Sequence, residues 1–403
     1  MNLKLAAEII FWMSVGAIVY TYVGYPLLLA IVSRFRSRAV HRAAFEPSVS
    51  IIITAYNEER DLAAKLQNTL ALDYPRELSE VIVASDCSTD ATDAIAASFA
   101  DAGVKLVRQS RRLGKTSAQN LAVEHAHGEI ILFSDATSLY QPDVLRVLLP
   151  NFADETVGCV GGRLIYVDPS SSRVGRGASS YWSYETFLKR HESRVCSLIG
   201  VSGCLYAVRR SAYVPLDADA CSDFIIATVM VEQDLRAVYE PKAICTEETN
   251  SQAGKELKMR VRVIAQTLGD LWRHRRMMNP RRSGFYAVEL FSHKVMRYFA
   301  PMLLIALFVA SGVLAASSIF YLAIFAAQLA GYSTAAMAAL LERAGVHNRM
   351  LALPQYFVLS NLASLIAFYQ FIRGERYAHW EPQRADGSPT IASREVHSER
   401  RVA

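Results

Sequence analysis

A long apolar run, from about Ala6 to Val32, limits this chain's fold more than any other feature; its one charge is Glu8. A helix needs roughly 20 apolar residues to cross a bilayer core, and this run exceeds that. Lys4 alone precedes it, while Arg34, Arg36, Arg38 and Arg42 follow it. The positive-inside rule therefore puts the N-terminus outside and the next domain in the cytoplasm. A cleaved signal peptide would carry its charges on the other flank and have a shorter apolar core. Two more apolar blocks lie towards the other end, at about Phe299 to Leu341 and about Leu351 to Ile372. The first is long enough for two spans, so the C-terminal region offers two or three. Three crossings would leave the tail outside, yet Arg373 and Arg376 favour a cytoplasmic tail. Either one segment is interfacial or re-entrant, or the charge rule fails there. Segment 331–341, rich in small and polar residues, is the weakest span. The tail after about Pro382 is polar and expected to be disordered.

Composition agrees with membrane segments. The 403 residues are 52% hydrophobic and 20% charged, and the mean hydropathy of +0.16 is high for a soluble chain. So apolar a sequence is neither disordered nor a small disulfide scaffold. The net charge of +5 is modest, which argues against a nucleic-acid partner. Cys87, Cys159, Cys196, Cys204, Cys221 and Cys245 show no C-x-x-C spacing, so reduced thiols in a cytosolic domain fit better than a zinc site. The expected organisation is a membrane anchor and basic flank over 1–44, a cytoplasmic domain over 45–255 and an interfacial amphipathic, basic segment over 256–297. C-terminal transmembrane helices over 298–373 and a polar tail over 374–403 complete it. Arg273-His274-Arg275-Arg276 and Arg281-Arg282 would face anionic lipid.

Within 45–255 strands and helices alternate. Val49 to Ala55 is a β-branched run bounded by Pro47 and by Asn57-Glu58-Glu59, as expected of a strand buried on both faces. Helical spacing follows over 59–72. Further strands are expected at 81–84, 104–107 and 130–133. Helices are expected at 91–101, from Lys115 to about Ala126, and at 224–238. This pitch predicts an α/β fold with a mainly parallel sheet and helices on both faces. Ligands of such sheets bind at the carboxyl ends of the strands. That edge carries Tyr56, Glu58, Asp86 and Asp135. One strand-terminal Asp is an ordinary helix cap; acids after three of four strands are less easily dismissed.

The ordered segments TAYNEE, SDCSTDAT, RLGKTSAQN, FSDAT, GCLYAVRR, CSDF and VYEPKA resemble the successive motifs of membrane-bound family 2 glycosyltransferases. The resemblance covers about 45–265 and implies the A-type, Rossmann-like nucleotide-sugar fold flanked by transmembrane helices. It implies that Ala55, Tyr56 and Glu58 border the base and ribose. Asp86 would accept a hydrogen bond from uracil or ribose, and Lys115 would lie near the diphosphate. Asp135 matches the first acid of the family's D-x-D motif, which would hold Mg2+ or Mn2+ against the diphosphate. Here that motif reads Asp135-Ala136-Thr137, so its second acid is missing. Asp223 takes the place of the general base, though it could equally cap its helix. Gly203 and Cys204 would line the acceptor channel. Arg262 would reach a phosphate; Met259 and Val263 depart from the Q/R-x-x-R-W pattern of processive synthases.

The implied protein is a multi-pass enzyme of the plasma or inner membrane. It would transfer a sugar with inversion from a nucleotide sugar, UDP-linked by preference, to a lipid-linked or saccharide acceptor in polysaccharide or envelope glycan synthesis. Membrane lipids and other glycan-assembly proteins would be its partners. The rivals are a polyprenyl-phosphate glycosyltransferase and a non-catalytic nucleotide-sugar-binding membrane protein.

Overall fold

The computed structural model describes residues 3–167, 173–248, 253–343 and 351–378. The tail after Pro382, expected to be disordered, lies outside the described residues. At the centre is β1 (Val49–Ala55), every residue of which is buried. It pairs in parallel with β2 (Ser79–Ser85) and β4 (Ile130–Asp135), and β3 (Val104–Arg108) pairs in parallel with β2. Ile52, Ile82 and Phe133 enter the core on one face of this sheet, and Ile51, Ile53 and Leu132 enter the core on the other. This is the period of two that a strand buried on both faces demands. The crossover helices are Leu62–Leu70, Thr92–Ser98 and Lys115–Glu124, each shorter than expected.

The expected parallel arrangement describes only this half. β5 (Leu139–Tyr140), β6 (Val157–Val167), β7 (Tyr206–Arg209) and β8 (Arg236–Glu248) extend it into eight strands in the order β3-β2-β1-β4-β7-β6-β8-β5. β7 is antiparallel to both β4 and β6, β8 is parallel to β6, and β5 is antiparallel to β8. Glycines obscure β6 in the sequence, and packing requires them. A Cβ at Gly158 would lie 2.6 Å from Met230 Sδ, and one at Gly162 would lie 2.3 Å from Leu205 Cδ2. The helix expected over 224–238 is Ser222–Glu232. Asp234 adopts a φ of 60°, which a continuing helix cannot accommodate, and the chain enters β8 at Arg236.

Among the described residues, four helices are long and apolar enough to cross a membrane: Leu3–Phe35, Phe285–Leu314, Ile319–Leu341 and Leu353–Ile372. The C-terminal region thus holds three candidates. The second begins well before Phe299 because Tyr286 and Leu290 are buried in the sheet domain's core. The first three pack together: Phe11 makes edge contacts with Phe320 and Tyr321 and shares a cluster with Leu307 and Leu314.

The last helix packs against the second and third, with the Phe368 ring edge-on to Phe299 at 5.4 Å between centres, and also against a helix outside the four. Its Ala363 and Ala367 share one core with Val261, Ile264 and Leu268 of helix Ala253–Arg273. Near its start, Tyr356 accepts a hydrogen bond from Arg260. Just past its end, Gln266 Nε2 donates to the Tyr377 carbonyl at 2.6 Å. Both ends therefore touch one helix of the sheet domain. Part of the basic segment also turns inward. Arg273 pairs with Asp217, Asp219 and Asp270, and His274 Nδ1 lies 3.0 Å from Glu232. These two side chains hold the domain together instead of facing lipid.

Candidate active site

The loops after β1 and β2 lock onto each other. Asn57 and Cys87 both take positive φ, 53° and 60°, a conformation Asn tolerates better than most residues. The turn lets Asn57 Oδ1 accept from Thr89 N at 2.8 Å, while Glu58 N donates to Thr92 Oγ1 at 2.7 Å. The Ala55 carbonyl accepts from Asp86 N at 3.0 Å. The Arg112 guanidinium lies 3.9 Å from the centre of the Tyr56 ring, a cation–π contact. Asp86 is fully buried and accepts from Gln109 Nε2 at 2.9 Å, from Leu113 N at 2.8 Å and from Gly114 N at 3.0 Å. Its carboxylate thereby shapes the loop that opens helix Lys115–Glu124. Gly114 needs its own freedom, with φ at 100°.

Lys115 leads from that loop into a charged centre. Its ammonium is bonded to Asp135 at the end of β4. Burial works against the charge on Lys115, but Asp135 and Asp223 outweigh it and raise the amine above its ordinary value. Asp223 sits in the first turn of helix Ser222–Glu232, where the helix dipole favours a carboxylate. The N-cap is Cys221, not Asp223, and the Cys221 thiol donates to Asp223 Oδ1 at 3.0 Å. Gly203 makes this centre possible. A Cβ there would lie 3.1 Å from Asp223 Oδ2 and 3.4 Å from Lys115 Nζ. Cys204 is buried, its Sγ 3.1 Å from that of Cys245. Arg262 projects into the same space with no partner for its Nε among the described residues. Burial lowers its guanidinium, partly offset by Cys221, Asp223 and Asp135.

Two residues in this centre escape sequence reasoning. Thr137 Oγ1 donates to Glu247 Oε1 at 2.9 Å, and burial, then Asp135, push the Glu247 carboxyl up to about 7. Behind them Lys65 is fully buried, with its Nζ 3.4 Å from the centre of the Tyr140 ring. Burial brings its amine down to about 7. No sequence motif signals Lys65, since it occupies an ordinary position on an amphipathic helix.

One cavity of about 540 Å³ gathers Glu58, Lys115, Asp135, Gly203, Cys204, Asp223, Glu247 and Arg262. Ala55, Tyr56 and Asp86 do not line it. The cavity continues towards the apolar helices, where Tyr22, His293, Arg297, Ser360, Asn361 and Ser364 line it. Polar contacts brace this far end: His293 Nδ1 lies 2.6 Å from Glu192 Oε1 and Nε2 lies 3.2 Å from Glu185 Oε2, and Arg297 bonds to Glu185. Burial opposes the charge on Glu185, but Arg297 and His293 hold its carboxyl well below the usual range. Oxygen donors at Asp135, Thr137 and Glu247 suit a hard cation such as Mg2+ or Mn2+. Among the described residues no group of three or more His, Cys, Asp or Glu side chains is arranged to hold a metal. Further ligands would have to come from a diphosphate or water.

Residues 50–214 match the family described as Glycosyl transferase family 2. A beta-monoglucosyldiacylglycerol synthase of Nostoc sp. is 28% identical over 236 residues, covering 57% of this chain and 49% of that protein. An N-acetylglucosaminyltransferase of Mesorhizobium japonicum is 27% identical over 241 residues, covering 56% of this chain and 57% of that one. The chain thus spans about half the length of the curated relatives it matches. A mannosyltransferase from Pyrobaculum calidifontis, solved in complex with GDP-Man and Mn2+, superposes with a TM-score of 0.70 at 22% identity. That alignment covers 91% of this chain and 99% of the other, so the two share a fold from the sheet through the apolar helices.

Proposed function

From the premise that this chain carries a family 2 glycosyltransferase domain on an A-type fold, we propose that it transfers a sugar from a nucleotide sugar to a hydroxyl of a membrane lipid. The observation that carries this reading is the cavity. It joins Asp223 and Lys115 to side chains of three of the four apolar helices without interruption. A water-soluble saccharide has no need of such a connection, whereas a lipid headgroup entering from the bilayer does. The relative named as a glucosyldiacylglycerol synthase points to the same acceptor class.

In this mechanism Asp223 accepts the proton of the acceptor hydroxyl as its oxygen bonds to the anomeric carbon. The bond from that carbon to the diphosphate oxygen breaks on the opposite face, which inverts the configuration. Lys115 and Arg262 offset the charge gathering on the leaving nucleoside diphosphate. A divalent cation, held by Asp135 with Thr137 nearby, would supply Lewis-acid stabilisation to that diphosphate. The Asp86-bound loop keeps Lys115 in place. Low-dielectric surroundings strengthen each of these charges relative to water.

The first three apolar helices would cross the bilayer and the last would lie at its cytoplasmic face. Contacts of Tyr356 and Tyr377 with the sheet domain support this, and so does the mean hydropathy of 1.2 for Leu353–Ile372, the lowest of the four. Arg373 and Arg376 then stand on the cytoplasmic side, in keeping with the charge rule. A cysteine-reactive, membrane-impermeant probe should fail to label a cysteine placed at the C-terminus in intact cells; labelling there would refute the arrangement. The function is tested with full-length protein in lipid nanodiscs and a panel of radiolabelled nucleotide sugars. Label should pass to the lipid phase. Transfer solely to soluble saccharides, or no transfer, refutes the lipid acceptor.

A further inference from the structure

We infer that Glu247 supplies the carboxylate missing from the Asp135-Ala136-Thr137 motif, so that Asp135 and Glu247 form a two-acid seat for the divalent cation. The inference rests on reading this site as a nucleotide-sugar site, and it assigns to β8 a task that the family pattern gives to the loop after β4.

Backbone pairing is the first ground. β5 follows the motif directly and runs antiparallel to β8, with Leu139 opposite Thr246 and Tyr140 opposite Cys245. Continuing that register sets Ser138 opposite Glu247 and Thr137 opposite Glu248. A hairpin-like pairing thus carries two consecutive acids of β8 to the residues where the motif lacks one. The second ground is the side-chain contact. Thr137, the residue at the motif's third position, donates its hydroxyl to Glu247 Oε1 at 2.9 Å. Thr137 is then a positioning residue that orients the carboxylate and is not itself the anionic ligand.

Charge is the third ground. A hard cation's affinity follows the number of anionic oxygens around it, and a neutral hydroxyl cannot replace a carboxylate. With Asp135 alone the seat would have one negative charge, which Lys115 already engages. With Glu247 it gains a second carboxyl facing the same cavity, and a bound cation favours the charged form of both.

A plainer role for Glu247 is to balance the charge of buried Lys65, whose amine lies within its electrostatic reach. The two roles separate experimentally. A Lys65 partner would alter stability but not the response to metal. Full-length protein in nanodiscs would be titrated with UDP and with GDP, in Mn2+ and in chelator, and the tighter nucleotide carried to the variants. Bound Mn2+ would be counted independently by electron paramagnetic resonance. Asp135→Ala should abolish the gain in affinity that Mn2+ confers. Glu247→Gln should reduce it about 10-fold or more, within the range seen when groups around a metal are removed, read as the ratio of affinities in Mn2+ and in chelator for each protein. Thr137→Ala should cost less. Adding Thr137→Asp to Glu247→Gln should restore the Mn2+ response, because it returns the acid to the motif. A Glu247→Gln protein with the wild-type Mn2+ response overturns the inference, as does a lost response that Thr137→Asp does not rescue. Wild-type protein that binds either nucleotide equally in Mn2+ and chelator also overturns it. In that case sugar transfer measured in chelator still judges the glycosyltransferase reading separately.

Discussion

Asp86 and Asp223 both border the carboxyl edge of one sheet, and the fold treats them in opposite ways. Asp86 is buried and its oxygens accept from Gln109 and from the Leu113 and Gly114 amides. Asp223 lines the cavity, touches the Cys221 thiol and faces the Lys115 ammonium across Gly203. A carboxylate whose lone pairs are filled by backbone amides organises a loop. One left facing a cation in a cavity is available to take a proton. The contrast teaches that a strand-terminal acid is assigned a role by its donors and not by its place on the edge.

The comparison breaks most sharply at Asp223. Asp223→Asn keeps the shape but removes the base, so turnover should fall roughly 100-fold or more with nucleotide affinity preserved. Near-normal turnover would take Asp223 out of the chemistry. Asp86→Ala should act through the fold. It leaves the Leu113 and Gly114 amides without their acceptor, which costs about 1–3 kcal/mol of stability and raises the KM for donor as the Lys115 loop loosens. Were Asp86 instead a direct contact to the nucleobase, the variant would keep its melting temperature and lose selectivity among nucleotides. Gly203→Ala should be the mildest. Its methyl would press on Asp223 Oδ2 at 3.1 Å and Lys115 Nζ at 3.4 Å, displacing the pair by a few tenths of an ångström. Turnover should drop about 10-fold or less with an unchanged melting temperature; a large loss of stability would mean that the loop itself, and not the pair, is strained.

Much of this was legible in the residues. Ile51-Ile52-Ile53 announces a doubly buried strand, and Asp86 and Asp135 follow strands that periodicity locates. The parallel half of the sheet is built from such local units, each strand followed by its own helix. The antiparallel half is not. β6 carries Gly158, Gly161 and Gly162 at close approaches, which read as breaks in a strand when seen in isolation. The premature end of helix Ser222–Glu232 depends on a positive φ at Asp234, which Asp tolerates but does not announce.

Composition and period thus decide local matters: which runs are apolar, which segments are helix or strand, and which acids stand at strand ends. These follow from hydrophobic burial and backbone geometry acting within about ten neighbouring residues. Three other features depend on residues far apart in the chain. Glu247 meets Thr137 across 110 residues because β5 and β8 pair in one register. Arg273 pairs with Asp217 and with Asp219, the latter 54 residues earlier in the chain. Leu353–Ile372 is apolar enough to cross a bilayer and also packs against Val261, Ile264 and Leu268. An apolar helix can bury its surface in lipid or against protein at similar gain, so its own residues do not choose between the two. The choice belongs to the partner surface that the rest of the chain presents.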